Sequence, residues 1–138
     1  KQLSRRAILL YGLFSDPPTG LNDDILGLQY APYSHVFPRA ACVVHQGGVG
    51  TTGQTLKAGV PQIIVPFAHD QPDNAARCER LGVARMIGRY KYTSSASAAA
   101  IKQVLADPRY VENAAKAGEA VRLEGGTDDA CDAIENVL

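Results

Sequence analysis

His45-Gln46-Gly47-Gly48-Val49-Gly50-Thr51-Thr52-Gly53 is the stretch whose residue types and spacing could do chemistry. It follows the apolar run 41–45 and precedes a helix-like run, so it reads as a strand that ends in glycines and turns into a helix. Such a turn leaves several backbone N–H groups unpaired, and the helix dipole adds roughly half a positive charge at that end. An anion is the natural occupant. Glycines let the backbone approach a phosphate with no Cβ in the way, and His45 at the strand's end can add a side-chain hydrogen bond. The bland alternative is a tight turn beside an interior, hydrogen-bonded histidine. Four glycines fall in the seven positions from 47 to 53. That density weighs against turn geometry alone, because each glycine costs about 0.5–1 kcal/mol in an ordered element.

Within this segment Gly48-x-Gly50-x-x-Gly53 spells the dinucleotide fingerprint, and Asp70 lies near the distance expected of a ribose-binding acid. The context argues against a nicotinamide dehydrogenase. The first glycine of that fingerprint normally follows its strand directly, in the opening βα turn of the fold. Here His45, Gln46 and Gly47 intervene, at least two strand-like segments come earlier, and Asp70 sits in a loop past Pro66. Asp70 also stands just before a helix signalled by Pro72, a place where an aspartate commonly caps.

The elements that must position these residues follow from periodicity. Apolar runs at 5–11, 25–30, 41–45, 62–66 and 83–87 predict five strands, the first buried and the fourth covered on both faces. Helices are predicted from 51 to 58, closed by Gly59, and from Pro72 to a stop at Gly82. Three further helices are expected at 95–105, 110–123 and 128–137, separated by Asp107-Pro108 and Gly125-Gly126. Strands that alternate with helices imply an α/β fold: a mostly parallel sheet with helices on both faces.

Composition narrows the function classes. The 138 residues carry 14 Lys and Arg against 14 Asp and Glu, with 46% hydrophobic and 20% charged residues. One compact domain is expected, without the surplus of basic residues that nucleic-acid binding requires. Cys42, Cys78 and Cys131 form no Cys-x-x-Cys pair and read as buried cytosolic thiols. No apolar run approaches the roughly 20 residues of a membrane span, and no signal peptide is evident; a cytoplasmic location is expected. Met86 is the only methionine, which suggests a fragment or a processed product.

From about Tyr30 to Gly82 the sequence resembles the C-terminal, donor-binding domain of two-domain glycosyltransferases of the GT-B fold, in particular bacterial, sterol and plant enzymes that use UDP- or dTDP-sugars. The resemblance rests, in order, on Tyr30-Ala31-Pro32, Val36-Phe37-Pro38-Arg39-Ala40, His45-Gln46-Gly47-Gly48-Val49-Gly50-Thr51, Ala58-Gly59-Val60-Pro61, and Pro66 with Asp70-Gln71-Pro72. It implies a Rossmann-like sheet forming one half of a GT-B fold, with residues 1–138 as the donor domain, the first βα unit missing and the acceptor domain absent from this chain. It assigns diphosphate binding to His45, Gly47, Gly48, Val49, Gly50 and Thr51, and contacts with the transferred sugar to Asp70 and Gln71. Tyr30, Ala31 and Pro32 become the nucleobase wall, helped by Tyr33.

Two departures stand out. Gln46 replaces the second histidine of many bacterial relatives, and Gly53 replaces a glutamate that grips the ribose in plant ones, so a UDP or dTDP preference is not legible. The resemblance implies transfer of a sugar to a small-molecule or lipid acceptor hydroxyl, inverting the anomeric centre without a metal or another cofactor. The catalytic base is expected in the acceptor domain rather than at His35, His45 or His69, so the fragment alone is expected to be inactive. A nucleotide-sugar epimerase, a lipid-linked sugar transferase and a non-catalytic nucleotide-binding module are the alternatives. Because the missing strand is central in the usual strand order, exposed sheet edges or a homodimer of the fragment are expected.

Overall fold

The computed structural model describes residues 3–137. Five short parallel strands, of which the last four are separated by helices, precede three further helices: β1 (Ala7–Leu10), β2 (Ile25–Leu28), α1 (Tyr33–Val36), β3 (Val43–His45), α2 (Val49–Ala58), β4 (Gln62–Ile64), α3 (Gln71–Arg80), β5 (Ala84–Met86), α4 (Ser94–Ala106), α5 (Pro108–Leu123) and α6 (Thr127–Glu135). Single turns of 3-10 helix at Phe37–Arg39 and Arg89–Lys91 complete the order. The strands form two separate parallel sheets, β1-β2 and β3-β4-β5. In the larger one Val43 pairs with Gln62, which pairs with Ala84.

β4 is the centre of the fold because both of its faces are covered. Ile64 points into a cluster with Ala75 and Cys78 of α3, Val83, Ala84 and Ala114 of α5. Ile63 and Val65 point the other way, against Ile87 and Val104 of α4. The continuous apolar character of residues 62–66 therefore has the cause the sequence suggests, helices on both sides of a parallel strand. A third cluster, Phe37, Val43 and Val60, seats the turn after α1 against β3.

Helix ends follow local chemistry. Gly59 closes α2 in the left-handed region at φ 70°, its N–H reaching the carbonyls of Thr55 and Leu56. Thr93 caps α4 by accepting from the Ala96 N–H, and Asp107 caps α5 by accepting from the Arg109 N–H.

Three expectations are corrected. The first strand is not buried: Ile8 and Leu9 are 47% and 41% exposed, because among the described residues β1 pairs only with β2. The helix after the glycine segment begins at Val49, two residues earlier than predicted, since Gly48 already serves as its N-cap. Cys131 is exposed, on an α6 that buries none of its residues, whereas Cys78 is buried and Cys42 half-buried. Burial pushes the Cys42 thiol up to about 12. The short turns at Tyr33–Val36 and Phe37–Arg39 lacked a sequence signal because Pro32 and Pro38 read as breakers. No helix among the described residues is long and apolar enough to cross a membrane.

Candidate functional site

β3 ends at His45 and the chain turns at Gly47, whose φ is 92°. Only glycine fits there: a Cβ would lie 2.7 Å from Ile64 Cγ2 and 3.2 Å from the Gln71 carbonyl oxygen. Gly48 then caps α2 with extended backbone and no side-chain cap bond. The Thr52 N–H is the first to be paired along the helix, donating to the Gly48 carbonyl at 3.0 Å. The amides of Val49, Gly50 and Thr51 are thus the open end of the helix, where the macrodipole favours negative charge. Val49 is 73% exposed and Gly50 is exposed too, so this end of the helix lies at the surface.

The glycines divide into two kinds. Gly47 is demanded by the protein's own packing, as shown by its φ and the Ile64 contact. Gly50 and Gly53 are not: both lie inside α2, and a Cβ at either would meet nothing within 4 Å. Internal packing gives no reason for these two helix-weakening residues, and both leave the surface of α2 open at that face.

His45 is held at both ring nitrogens. Nδ1 accepts the Gly47 N–H at 3.0 Å, so the ring proton is on Nε2, which donates to Gln62 Oε1 at 2.8 Å. As placed, the ring has no free nitrogen for an anion. Both ring nitrogens are thus engaged within the chain, as in the hydrogen-bonded histidine expected as the alternative to a ligand contact, and the residue is half-buried. Burial lowers its pKa below the ordinary 6.5, partly offset by the Gln62 bond.

Asp70 and Gln71 stand at the start of α3, beside this loop. Asp70 occupies the N-cap position in helical backbone without making a cap bond. Its Oδ2 accepts instead from Asn74 Nδ2 at 2.8 Å, and the same Nδ2 donates to the Gly47 carbonyl at 2.9 Å. Asn74 therefore ties the second polar segment to the first, across 27 residues of sequence. The sequence reading missed it, although it lies one helical turn after Asp70. Gln71 Oε1 accepts from the Phe67 and Ala68 amides at 2.8 and 3.2 Å, which leaves its NH2 group as a donor. His69 between these segments has φ 58°, a left-handed conformation uncommon for a residue with a Cβ.

Tyr30 is 69% exposed and so is not core; Ala31 is buried, and Pro32 is the N-cap of α1, which packs against α2. Tyr33 stacks on Phe37, with ring centroids 4.4 Å apart. His45, Gly47, Asp70, Gln71 and Asn74 are brought together by direct contacts, and Tyr30 precedes α1, which packs against α2. Two grooves elsewhere, about 340 Å³ beside Glu79, Arg85 and Asp107 and about 610 Å³ beside Met86, Tyr90 and Ala100, include none of these residues. Among the described residues no group of three or more His, Cys, Asp or Glu is placed to hold a metal ion.

A parallel sheet whose strand ends at a glycine turn and an uncapped helix has the arrangement of the α/β class, in which such helix ends are suited to anions. Comparison with known proteins gives the family. Residues 17–125 match the family described as Erythromycin biosynthesis protein CIII-like, C-terminal domain, and the chain belongs to it: a C-terminal domain of GT-B glycosyltransferases. It is 41% identical over 133 residues to O-mycaminosyltylonolide 6-deoxyallosyltransferase of Streptomyces fradiae, covering 96% of this chain and 31% of the relative. Among solved structures it is similar to the glycotransferase of kitacinnamycin, with TM-score 0.85, 31% identity and coverage of 96% of this chain and 35% of that one. The glycosyltransferase VinC, solved in complex with dTDP, aligns with TM-score 0.72 and 25% identity, covering 76% of this chain and 27% of VinC. The chain thus spans about a third of the length of these relatives.

Proposed function

We propose that residues 1–138 form the donor-binding domain of an enzyme that transfers a sugar from a UDP- or dTDP-sugar to a small acceptor hydroxyl, with inversion. The observation that carries this reading is the open N-terminus of α2, flanked by Asp70 and Gln71 through Asn74. The amides of Gly48, Val49, Gly50 and Thr51 receive the diphosphate, and His45 with Gly47 forms the turn that presents them. As the bond to the sugar breaks, negative charge grows on the diphosphate leaving group. Fixed N–H dipoles aimed at that charge stabilise it without reorganising. Family membership and the similarity to VinC, whose structure holds dTDP, support a nucleoside diphosphate as the occupant.

The Gln71 amide and the Asp70 oxygen not engaged by Asn74 are suited to sugar hydroxyls, one donating and one accepting. Tyr30, with Ala31 and Pro32, offers an exposed aromatic surface for the base. The reaction as read needs no metal and no further cofactor in this domain, because the amides and the helix end stabilise the charge of the leaving group. The base and the acceptor site belong to the companion acceptor domain, and a cytoplasmic setting suits a nucleotide-sugar donor.

Isothermal titration of this chain with UDP, dTDP and their sugar conjugates tests the reading. Binding of the nucleotides, with NADH unable to displace them, is expected. Failure of all four to bind, or displacement of bound nucleotide by NADH, overturns it.

A further inference from the structure

We propose that Gln62 is a positioning residue of this site, acting through His45 on the loop that presents the amides; the part of the claim that concerns nucleotide binding rests on the reading above. Gln62 lies on the central strand β4 and is fully buried. That is a costly place for an amide, because its Nε2 has no hydrogen-bond partner among the described residues. An apolar residue of similar volume would fill the same space, between Val43 and Ala84 in the sheet, without an orphaned donor. What the amide contributes is its oxygen, which accepts from His45 Nε2 at 2.8 Å.

That single bond decides the chemistry of the ring. With the Nε2 proton committed to Gln62, the Nδ1 lone pair is free to accept the Gly47 N–H at 3.0 Å. Gly47 is the residue that turns the chain into α2, and its carbonyl is held from the other side by Asn74 at 2.9 Å. The peptide units of the turn are therefore fixed at both ends. Loss of the Gln62 oxygen frees the ring to exchange tautomers or rotate, and a ring that carries its proton on Nδ1 repels the Gly47 N–H instead of accepting it. The turn then loses one of its two anchors, and the amides it presents lose their common direction.

The imidazole 15N shifts of the chain report the His45 tautomer directly, without any ligand. The wild-type ring is expected in the Nε2–H form. Gln62→Met, which keeps the volume and removes the acceptor, is expected to mix the tautomers and to weaken UDP and dTDP binding roughly fivefold, the scale of one hydrogen bond. Gln62→Glu keeps an acceptor oxygen at the same place and is expected to retain the Nε2–H tautomer and most of the affinity, which a merely space-filling role does not predict. A wild-type ring protonated on Nδ1 overturns the proposal, even if neither variant folds. So does a folded Gln62→Met chain that keeps both the tautomer and the affinity. If neither nucleotide binds the wild-type chain, the reading of the loop as a nucleotide site fails, while the tautomers of wild type and variants still decide whether Gln62 sets the ring.

Discussion

β1 and β4 are short parallel strands built from similar residues, yet they live in different environments. Ile8 and Leu9 of β1 are nearly half exposed, and Ile63 and Ile64 of β4 are fully buried. β4 has a strand on each side and helices against both faces; β1 has only β2 beside it and belongs to no buried cluster of the described residues. The glycine turn and the Asp70-Gln71 segment of the candidate site sit on the well-packed block, whereas Tyr30 follows β2 of the open one. The loop springs from β3, its turn rests on Ile64, and the second polar segment opens the helix that covers β4 and β5. A loop that must hold several amides in one direction needs a foundation that does not shift, and a close-packed interior supplies one.

The sharpest way to break this contrast is a pair of truncations read by denaturant unfolding. Ile63→Ala is expected to cost about 2–5 kcal/mol, the range for a fully buried isoleucine. Ile8→Ala should cost under about 1 kcal/mol, since much of its surface already meets water. Equal losses would mean that the two sheets share a core after all.

Next in size is His45→Ala, which removes the bonds to Gly47 and Gln62 and is expected to weaken UDP or dTDP binding by about 1–3 kcal/mol. An unchanged titration would separate the loop from the strand that carries it.

The pH dependence of stability probes the same residue. Because the folded pKa of His45 is depressed, the unfolded chain binds more protons below the ordinary value of 6.5. The contribution of this group to stability is complete above pH 6.5 and falls as pH drops through the folded value. Urea midpoints measured from pH 8 to pH 5 should show this decline in wild type and a shallower one in His45→Ala.

The smallest effect is expected at His69, exposed and left-handed at φ 58°. His69→Gly relieves that conformation and should stabilise the chain by about 0.5–1 kcal/mol, net of the larger entropy glycine loses on folding. A loss of stability, read by thermal unfolding, would mean that the imidazole makes a contact worth more than the strain.

Much of the site was legible because it depends on local chemistry. The glycines of 47–53, the Gly59 stop and the polar pair at 70 and 71 each mark a backbone conformation or a helix end, which neighbours in sequence dictate. Asn74 and Gln62 were not legible. An asparagine inside a helix and a glutamine inside an apolar strand carry no periodic signal, and each acquires its role from a partner 17 or more residues away.

By itself the sequence determined the α/β class, the parallel strands and the glycine turn that leads from β3 into α2, since periodicity and turn chemistry are properties of short stretches. The tertiary structure alone decided that the His45 ring bonds to Gly47 and Gln62, that packing demands a glycine at 47 but not at 50, and that the first apolar run lies on an open edge. Each of those depends on which atoms arrive from distant segments, and side-chain burial and hydrogen-bond partnership are set by that arrival and not by residue type.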